Sequence, residues 1–177
     1  CIMTDKWISM GDKINKNKTI KGEKMIEVVQ YYEDYNIGDT RTTLGRTITE
    51  TDIVMHAMHT GDMFPHHVDE EFAKKGPFGK RIAQFSLTHS IGIALTAGKV
   101  NPKAFTYGFE RLRFPNPVFI GDTITTTVTI KEMKDYPKDP TKFGMVYEAC
   151  EVVNQHKKCV SYSEHVLLVE RKKEKNE

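Results

Sequence analysis

The sequence predicts an α+β fold in which an antiparallel sheet wraps around one central helix. Residues 82–98 contain no acidic residue, lysine or arginine, which is typical of a helix buried in a core. After residue 105 the hydrophobic period changes to two, which indicates consecutive strands. Because strands joined by short turns pair antiparallel, they can form one sheet that covers the apolar helix. A chain of 177 residues is long enough for one such domain.

The segment before the central helix predicts a strand and a helix. Residues 41–48 have strand character and follow a turn signal at Gly38. Thr49 or Thr51 can cap the following helix, and two acidic residues in its first turn suit the helix dipole. Gly61 is typical of the C-terminal end of a helix. Three apolar residues share one side of this helix: Ile53, Ala57 and Met58.

The remaining elements are a second short helix at residues 69–75, a turn at residues 76–79 and four strands after the central helix. The strands cover residues 105–114, 123–130, 144–153 and 159–169. The last two form a hairpin around residues 154–158. In the second strand, four residues that face one way alternate with threonines: Ile124, Thr126, Val128 and Ile130. In the first strand, alternation places three residues on one side: Phe109, Arg111 and Arg113.

Composition and charge are those of an ordinary globular protein. Hydrophobic residues make up 38% and charged residues 28% of the chain. The net charge of +2 gives no electrostatic case for nucleic acid or a membrane surface. No sustained apolar stretch reaches the ~18 residues of a membrane span, and the N-terminus lacks the apolar core of a signal peptide. We therefore expect a cytoplasmic protein with a polar arm at residues 1–24, one domain at residues 25–170 and a charged tail at residues 171–177.

The cysteines and histidines form no metal-binding motif. The three cysteines are an odd number without CxxC spacing, and a reducing compartment is the simpler expectation. Cys150 and Cys159 could still face each other across the hairpin. Four histidines lie close in sequence: His56, His59, His66 and His67. Because no HExxH motif and no nearby cysteine accompanies them, no metal is expected.

A carboxylate and an imidazole lie five residues apart, at Asp62 and His67, in a short segment stiffened by Pro65. The uncharged helix begins about fifteen residues later. Such a pair beside a buried apolar helix can transfer protons in a dry pocket, as the addition of water to a double bond requires. Each positioned proton carrier typically contributes ~10² to 10⁴-fold to the rate. The structural alternative is a helix-capping aspartate and a loop histidine.

Three motifs follow each other along the chain in a specific order. They are Asp62, Pro65, His67 and Asp69; then Phe78-Gly79 with Arg81-Ile82-Ala83-Gln84; then Arg113-Phe114 with Pro117-Val118-Phe119 and Gly121-Asp122. In these motifs the chain, from about residue 31 to residue 169, resembles the MaoC-like acyl dehydratases, which include the (R)-specific enoyl-CoA hydratases. The resemblance implies the hotdog architecture, in which one sheet wraps around one helix.

The resemblance also implies roles for individual residues. Asp62 and His67 would hold one water and share the proton transfers, and the backbone N–H of Phe85 would stabilise the thioester oxygen at the start of the helix. Four residues would line the substrate pocket: Phe64, Pro65, His66 and Ser90. The chain departs from the family at two of these positions, because the family usually has glycine at Phe85 and often has asparagine at Phe64. Both changes reshape the expected acyl site.

The motifs define the roles of other nearby polar residues less closely. Four basic residues are candidates for contacts with CoA phosphates, or are ordinary surface charges: Lys80, Arg81, Arg111 and Arg113. Asp69 is expected to cap the short helix, and His89 to be a core or pocket histidine. Neither Ser86 nor Ser90 lies in a GxSxG elbow, so no acyl-enzyme is expected.

Together these features predict a hydro-lyase that hydrates an enoyl-CoA or dehydrates a 3-hydroxyacyl-CoA. No metal or redox cofactor is implied, and the CoA thioester is the substrate. A homodimer or a higher even homo-oligomer is expected, because a single hotdog leaves a sheet edge open and the family's pockets lie between or beside paired units. The alternatives are a hotdog acyl-CoA thioesterase and a non-catalytic acyl-CoA-binding hotdog protein.

Overall fold

One helix lies against the inner face of a six-stranded antiparallel sheet in the computed structural model, which describes residues 28–98 and 101–173. The elements in chain order are a 3₁₀-helix (Tyr32–Asp34), β1 (Thr40–Thr42), β2 (Arg46–Thr47), α1 (Glu50–Thr60), α2 (Pro65–Val68), α3 (Glu70–Lys75), α4 (Phe85–Ala94), β3 (Ala104–Arg113), β4 (Thr123–Asp135), β5 (Phe143–Asn154) and β6 (Cys159–Glu170). The strand order is β1-β4-β5-β6-β3, and β2 also pairs with β4. The predicted α+β hotdog architecture is confirmed.

β4 has the predicted alternation, and its threonines form a ladder with the first two strands. Its four inward residues are all buried: Ile124, Thr126, Val128 and Ile130. On the other face, threonine hydroxyls pair across the strands at 2.8–3.0 Å: Thr40 with Thr129, Thr42 with Thr127 and Thr47 with Thr123. The single strand predicted at residues 41–48 is wrong. Between the paired positions, the first strand contains one more residue than β4 opposite it, so the chain bulges and divides into β1 and β2.

α1 begins and ends where its capping residues predict. The Thr49 hydroxyl accepts a hydrogen bond from the Asp52 N–H, and the Asp52 carboxylate accepts one from the Thr49 N–H. Gly61 ends the helix with a left-handed φ of 79°. Ile53 and Ala57 are buried as predicted. The prediction that Met58 shares their side is wrong, since it follows Ala57 directly on the helix and is 67% exposed.

α4 is shorter than the uncharged segment at residues 82–98 that predicted it. Its first residue is Phe85, because the preceding residues are held in an extended conformation by a distant loop. Ile82 forms an isolated bridge with Phe119, and the Ala83 N–H donates to the Val118 carbonyl oxygen at 2.8 Å. Four residues of the helix are buried: Leu87, Thr88, Ile91 and Gly92. The helix therefore contributes one face to the core rather than its whole surface.

β3 does not keep the alternation that the sequence predicts. The ladder with β6 is irregular between Glu110 and Arg113, and Arg111 has a positive φ of 51°. Phe109 stacks on His165, whereas the Arg111 guanidinium bonds the Glu164 carboxylate at 3.2 Å. Because successive residues of β6 face opposite sides, Phe109 and Arg111 lie on opposite faces of the sheet. Their predicted placement on one side is wrong, and the bulge is the reason.

The predicted β5–β6 hairpin is confirmed, but its cysteines do not face each other. Cys150 lies opposite Ser163, and Cys159 lies opposite Val153. Both thiols are free. Cys150 is buried and Cys159 is partly buried.

The end of the domain continues past β6 into contacts with the 3₁₀-helix. Arg171, the first residue of the predicted charged tail, lies over the Tyr32 ring and pairs with Glu33. Lys172 pairs with Asp34. The predicted arm at residues 1–24 and the last four residues of the tail lie outside the described residues. Within the described part of the chain, no helix has the length and apolar character needed to cross a membrane.

Candidate active site

Asp62 and His67 are brought together by the short connection between α1 and α2. Asp62 directly follows Gly61, the residue that ends α1, and His67 lies on α2, which Pro65 begins. The His67 Nε2 atom lies 4.0 Å from the Asp62 Oδ2 atom. This separation is too long for a direct hydrogen bond, and a single water can bridge it. The His67 side chain is 10% exposed and that of Asp62 is 42% exposed, so the imidazole is fixed in the protein and the carboxylate borders solvent.

A backbone carbonyl sets the orientation of the His67 ring. The Nδ1 atom lies 2.8 Å from the Ile82 carbonyl oxygen. Because a carbonyl oxygen only accepts hydrogen bonds, Nδ1 carries the proton, and in the neutral ring Nε2 keeps a lone pair directed towards Asp62. The Ile82 N–H in turn donates to the His66 carbonyl oxygen at 3.1 Å. These two bonds tie α2 to the segment that leads into α4, and the sequence pattern did not predict the role of Ile82.

The N-terminal end of α4 offers free backbone donors next to this pair. The first hydrogen bond of the helix runs from the Thr88 N–H to the Gln84 carbonyl oxygen at 3.0 Å. The N–H groups of Phe85, Ser86 and Leu87 come before this bond and have no partner within the helix. Among the described residues, the side chain of the N-cap residue Gln84 does not bond to them either. Such an end attracts negative charge. The expected oxyanion donor, Phe85 N–H, is therefore a helix N1 group.

A side-chain hydrogen bond joins the two helices that flank the pair. The His56 Nε2 atom on α1 lies 2.8 Å from the Ser86 Oγ atom on α4. It links the helix that ends just before Asp62 to the helix that begins just after Ile82. Ser90, predicted to line the pocket, is exposed one turn further along α4. His56, one of the four histidines that lie close in sequence, therefore contacts Ser86 of α4.

Aromatic side chains occupy the two positions at which the chain departs from the family, Phe85 and Phe64. Phe85 stacks on Phe114 with ring centroids 5.1 Å apart and remains 43% exposed. The Phe64 ring lies 6.5 Å from the His67 ring and is 56% exposed. His66 turns away from Asp62 into a cluster of three phenylalanines: Phe64, Phe72 and Phe78. Phe64 therefore contacts His67 directly, whereas Phe85 packs on Phe114 at the start of α4.

The four basic candidates for CoA contacts are placed differently from one another. Lys80 is exposed, with its Nζ atom 4.1 Å from the centre of the Phe119 ring. Arg81 pairs with Glu50 at 2.8 Å and with Glu70 at 2.9 Å, which ties α1 to α3 and engages its guanidinium. Arg111 lies on the sheet face opposite to Phe109, whose ring packs against His89 of α4 with ring centroids 4.8 Å apart. Arg113 is exposed on the edge strand, and its Nη1 atom donates to the carbonyl of the preceding residue at 2.8 Å.

The pair lies at the surface of the described chain rather than in a closed pocket. Asp62 is partly exposed, and neither Asp62 nor His67 lines the hollow of about 500 Å³ that is formed by residues such as His66, Phe72 and Pro77. The dry pocket predicted from the sequence is therefore not closed by residues 28–98 and 101–173 of one chain.

A second cluster of titratable groups, which no sequence motif indicated, is buried on the neighbouring strands β5 and β6. Glu148 and Cys150 on β5 and His165 on β6 have donor atoms within 4.8 Å of one another. All three residues are buried. The available signal was the spacing of Glu148 and Cys150, because residues two apart on a strand share a face.

The sheet around α4 defines a hotdog protein, and its residues Asp62 and His67 place a carboxylate oxygen 4.0 Å from an imidazole nitrogen. Residues 34–151 match the family model described as a MaoC like domain, so the chain belongs to the MaoC-like family.

Three curated relatives are 34–35% identical to this chain over the residues that align. Protein MaoC from Klebsiella aerogenes is 34% identical over 70% of this chain, which spans 37% of that protein. The (R)-specific enoyl-CoA hydratase of Rhodospirillum rubrum is 35% identical over 58% of this chain and 71% of its own length. The 3-hydroxybutyryl-CoA dehydratase of Methylorubrum extorquens is 35% identical over 59% of this chain and 66% of its own length.

Solved structures share the whole architecture. A monoamine oxidase regulatory protein from Archaeoglobus fulgidus superimposes with a TM-score of 0.77 at 36% identity, covering 85% of this chain and all (100%) of that one. A MaoC-like dehydratase from Rhodospirillum rubrum gives a TM-score of 0.72 at 25% identity, covering 81% of this chain and 99% of its own.

Proposed function

We propose that the protein is a hydro-lyase that adds water to an enoyl thioester, or removes it from a 3-hydroxyacyl thioester, with Asp62 and His67 as its acid–base pair. The observation that carries the proposal is the 4.0 Å separation of the Asp62 Oδ2 and His67 Nε2 atoms, both available to a single water. The names of the hydratase and dehydratase relatives support the same chemistry.

In the hydration direction, one water bound between the two side chains would donate hydrogen bonds to both. The pair takes a proton from the water as its oxygen bonds to C3 of the enoyl group, and the pair returns a proton to C2. With Nδ1 holding its proton against the Ile82 carbonyl, the His67 Nε2 atom can accept a proton in one step and release it in the next. The two groups exchange protons as a unit, so the roles belong to the pair. The step leaves no net proton on the enzyme.

The free donors at the start of α4 would stabilise the thioester oxygen, which gains negative charge when the double bond is attacked. The Phe85 N–H is the first of these donors, and the helix dipole adds to its effect. The phenyl group at this position does not remove the N–H, and its stacking on Phe114 holds the ring to one side. Phe64 on the other side would narrow the acyl site.

We further propose that CoA is the carrier and that a homodimer, or a higher even homo-oligomer, is the active form. β3 is an edge strand of the sheet, with one side unpaired among the described residues, and Asp62 is partly open to solvent. A second copy would remove both features at once. Lys80 and Arg113 are the basic candidates that no carboxylate engages within the described residues. A monomer by light scattering at micromolar concentration would contradict the dimer.

The test uses two adjacent histidines as variant and control. Enoyl-CoA substrates of different lengths are incubated with wild type, His67→Ala and His66→Ala, while the absorbance of the enoyl-thioester band and the release of free thiol are both followed. With wild type, the enoyl-thioester band should disappear without release of thiol. The rate of this disappearance should fall at least ~100-fold in His67→Ala and stay near the wild-type rate in His66→Ala. His66→Ala is the control for loss of an imidazole from α2: as a pocket residue it can change KM, but its ring contacts Phe64, Phe72 and Phe78 rather than Asp62, so kcat should be retained.

The two alternatives from the sequence give different results in this assay. A hotdog thioesterase would release one free thiol for each enoyl thioester consumed, and the band would also disappear because it belongs to the double bond conjugated with the thioester. A non-catalytic acyl-CoA-binding protein would bind the ligand without turnover, and Asp62→Asn would leave the binding constant unchanged. Either outcome would contradict the hydro-lyase proposal.

A further inference from the structure

The buried cluster of Glu148, Cys150 and His165 differs from ordinary core residues of a sheet. The three residues are 2%, 1% and 7% exposed. Glu148 and Cys150 lie on the same face of β5, and His165 is the direct cross-strand partner of Glu148 on β6. A carboxylate, a thiol and an imidazole thus converge on one point, with their donor atoms within 4.8 Å of one another. Oxygen, sulfur and nitrogen are the donors with which proteins bind zinc.

One ring nitrogen in this cluster has no hydrogen-bond partner among the described residues. The His165 Nδ1 atom is buried and lies 3.3 Å from the Glu148 Oε2 atom, which is within ion-pair distance but outside hydrogen-bond geometry. The other nitrogen, Nε2, lies 2.9 Å from the Thr106 hydroxyl. When Nε2–H donates to the Thr106 hydroxyl, Nδ1 keeps its lone pair, and Nδ1 and Oε2 can bind one cation between them. Tetrahedral bonds of about 2.0–2.1 Å to zinc separate ligand atoms by about 3.3 Å, which matches the observed distance between these two atoms.

The groups around the three residues are those that orient metal ligands. Histidine ligands usually have their second nitrogen hydrogen-bonded, as His165 does to Thr106. Carboxylate ligands are also held from outside, and Arg41 bonds the other oxygen of Glu148, Oε1, at 2.8 Å. Oε2 therefore remains free to bind a metal while Arg41 fixes the carboxylate plane.

From this geometry we propose that Glu148, Cys150 and His165 bind one divalent zinc-class metal ion inside the sheet, at a site separate from the Asp62–His67 pair. Binding replaces the thiol proton, which leaves to solvent, by a sulfur–metal bond, and no group is oxidised or reduced. Carboxylate, thiolate and metal then sum to zero charge, beside the Arg41 cation. Water takes the fourth coordination position. The ion links β5 to β6 directly and, through Arg41, to β1.

Without metal, the same cluster carries a neutral thiol. Burial raises the pKa of the Cys150 thiol to about 12, with the nearby Glu148 charge adding to the effect. Metal binding must displace this proton, so uptake releases one proton per ion. The half-exposed Arg41 side chain marks the side of the cluster from which an ion can enter.

The test is cobalt binding by the full chain after dialysis against a chelator. Co²⁺ bound to a thiolate gives an intense near-ultraviolet charge-transfer band, which histidine and carboxylate ligands alone do not give. The expected result is one Co²⁺ per chain with this band in wild type, displaced by one equivalent of Zn²⁺. Cys150→Ser should lose the band. Cys159→Ser is the matched control and should retain it, because that thiol is partly exposed and lies opposite Val153.

A second measurement in the wild type does not depend on any variant folding. Zn²⁺ at a hundredfold excess over its dissociation constant should raise the melting temperature by about 5–10 °C. The proposal is overturned by absence of stoichiometric binding to wild type, or by a charge-transfer band that persists in Cys150→Ser. A band lost in Cys159→Ser instead would also overturn it. A circular dichroism spectrum of Cys150→Ser identical to that of wild type establishes that the variant is folded.

Discussion

Replacing Gly92 by alanine should destabilise the protein, although alanine is the better helix former. Gly92 lies on the buried side of α4, where the absence of a side chain lets the helix approach β5 closely. A Cβ atom at this position would lie 2.6 Å from the Val152 Cγ2 atom and 3.4 Å from its Cγ1 atom. Val152 is 1% exposed and β-branched, so its side chain cannot rotate out of the way.

The magnitude follows from three opposing effects. Alanine in place of glycine inside a helix gains about 1 kcal/mol. Insertion of a methyl group into a filled core costs about 1–3 kcal/mol. Displacement of α4 also lengthens the buried hydrogen bond of 2.7 Å from the Thr126 hydroxyl to the Gly92 carbonyl oxygen, which is worth about 1 kcal/mol. The free energy of unfolding should therefore fall by about 1–3 kcal/mol.

The assay is urea unfolding of Gly92→Ala, Val152→Ala and the double variant. Val152→Ala removes the two methyl groups that the new Cβ would meet, at the cost of a cavity. In that background Gly92→Ala should change sign and stabilise the protein by up to about 1 kcal/mol, because only the helix preference and some cavity filling remain. If Gly92→Ala stabilises the protein with Val152 intact, or costs the same in both backgrounds, the close packing of α4 on β5 is refuted.

Three further predictions concern caps, charge and thiol reactivity. Thr49→Ala removes the cap of α1 and should lower the free energy of unfolding by about 0.5–2 kcal/mol in urea titrations, and an unchanged value would contradict the cap. Burial raises the pKa of Asp52, but hydrogen bonds from Thr49 and the charge of Arg46 outweigh it and hold that pKa below its ordinary 3.8. The stability that Asp52 contributes is thus present at neutral pH and lost as the pH falls through the lowered folded-state pKa. The melting-temperature deficit of Asp52→Asn should accordingly shrink between pH about 6 and about 3, and a constant deficit would refute this. Because burial raises the pKa of Cys150 to about 12, iodoacetamide at pH about 8 should modify Cys150 only after unfolding, as peptide mass spectrometry can measure; labelling of the folded protein would contradict its burial.

Features that depend on neighbouring residues could be predicted from the sequence. The cap at Thr49 and the left-handed glycine at Gly61 are local signals, and they set both ends of α1. The alternation in β4 is likewise local, because it reflects one buried and one exposed face. The approach of Asp62 to His67 is also local, since only a short turn and one helix separate them.

Features that depend on contacts between distant segments were missed. α4 begins three residues later than predicted because Ile82 pairs with Phe119, which lies in another loop. The same extended segment presents the Ile82 carbonyl to His67, and no periodicity in the sequence encodes that bond. The bulge at Arg111 adds one residue to β3, so that every later side chain of this strand lies on the face of the sheet opposite to the predicted one.

The polar cluster inside the sheet could not be recognised from composition. Glu148 in a strand pattern reads as a solvent-facing residue, since carboxylates are almost never fully buried unless they are paired. The burial of Glu148 depends on two partners. Arg41 lies 107 residues before it in the chain, and His165 lies directly opposite it on β6. Only the assembled sheet brings these partners together.

The most direct test of the account compares two carboxylates of the same segment in the enoyl-thioester assay. Asp62→Asn removes the carboxylate of the pair and should lower kcat at least ~100-fold, with little change in KM or in unfolding free energy. Asp69→Asn is the control, because Asp69 caps α3 through the Phe72 N–H and asparagine caps equally well. Only Asp62→Asn should lose the decrease in enoyl absorbance that wild type gives with crotonyl-CoA or a longer enoyl-CoA. Near-normal turnover in Asp62→Asn, or an equal loss in Asp69→Asn, would contradict it.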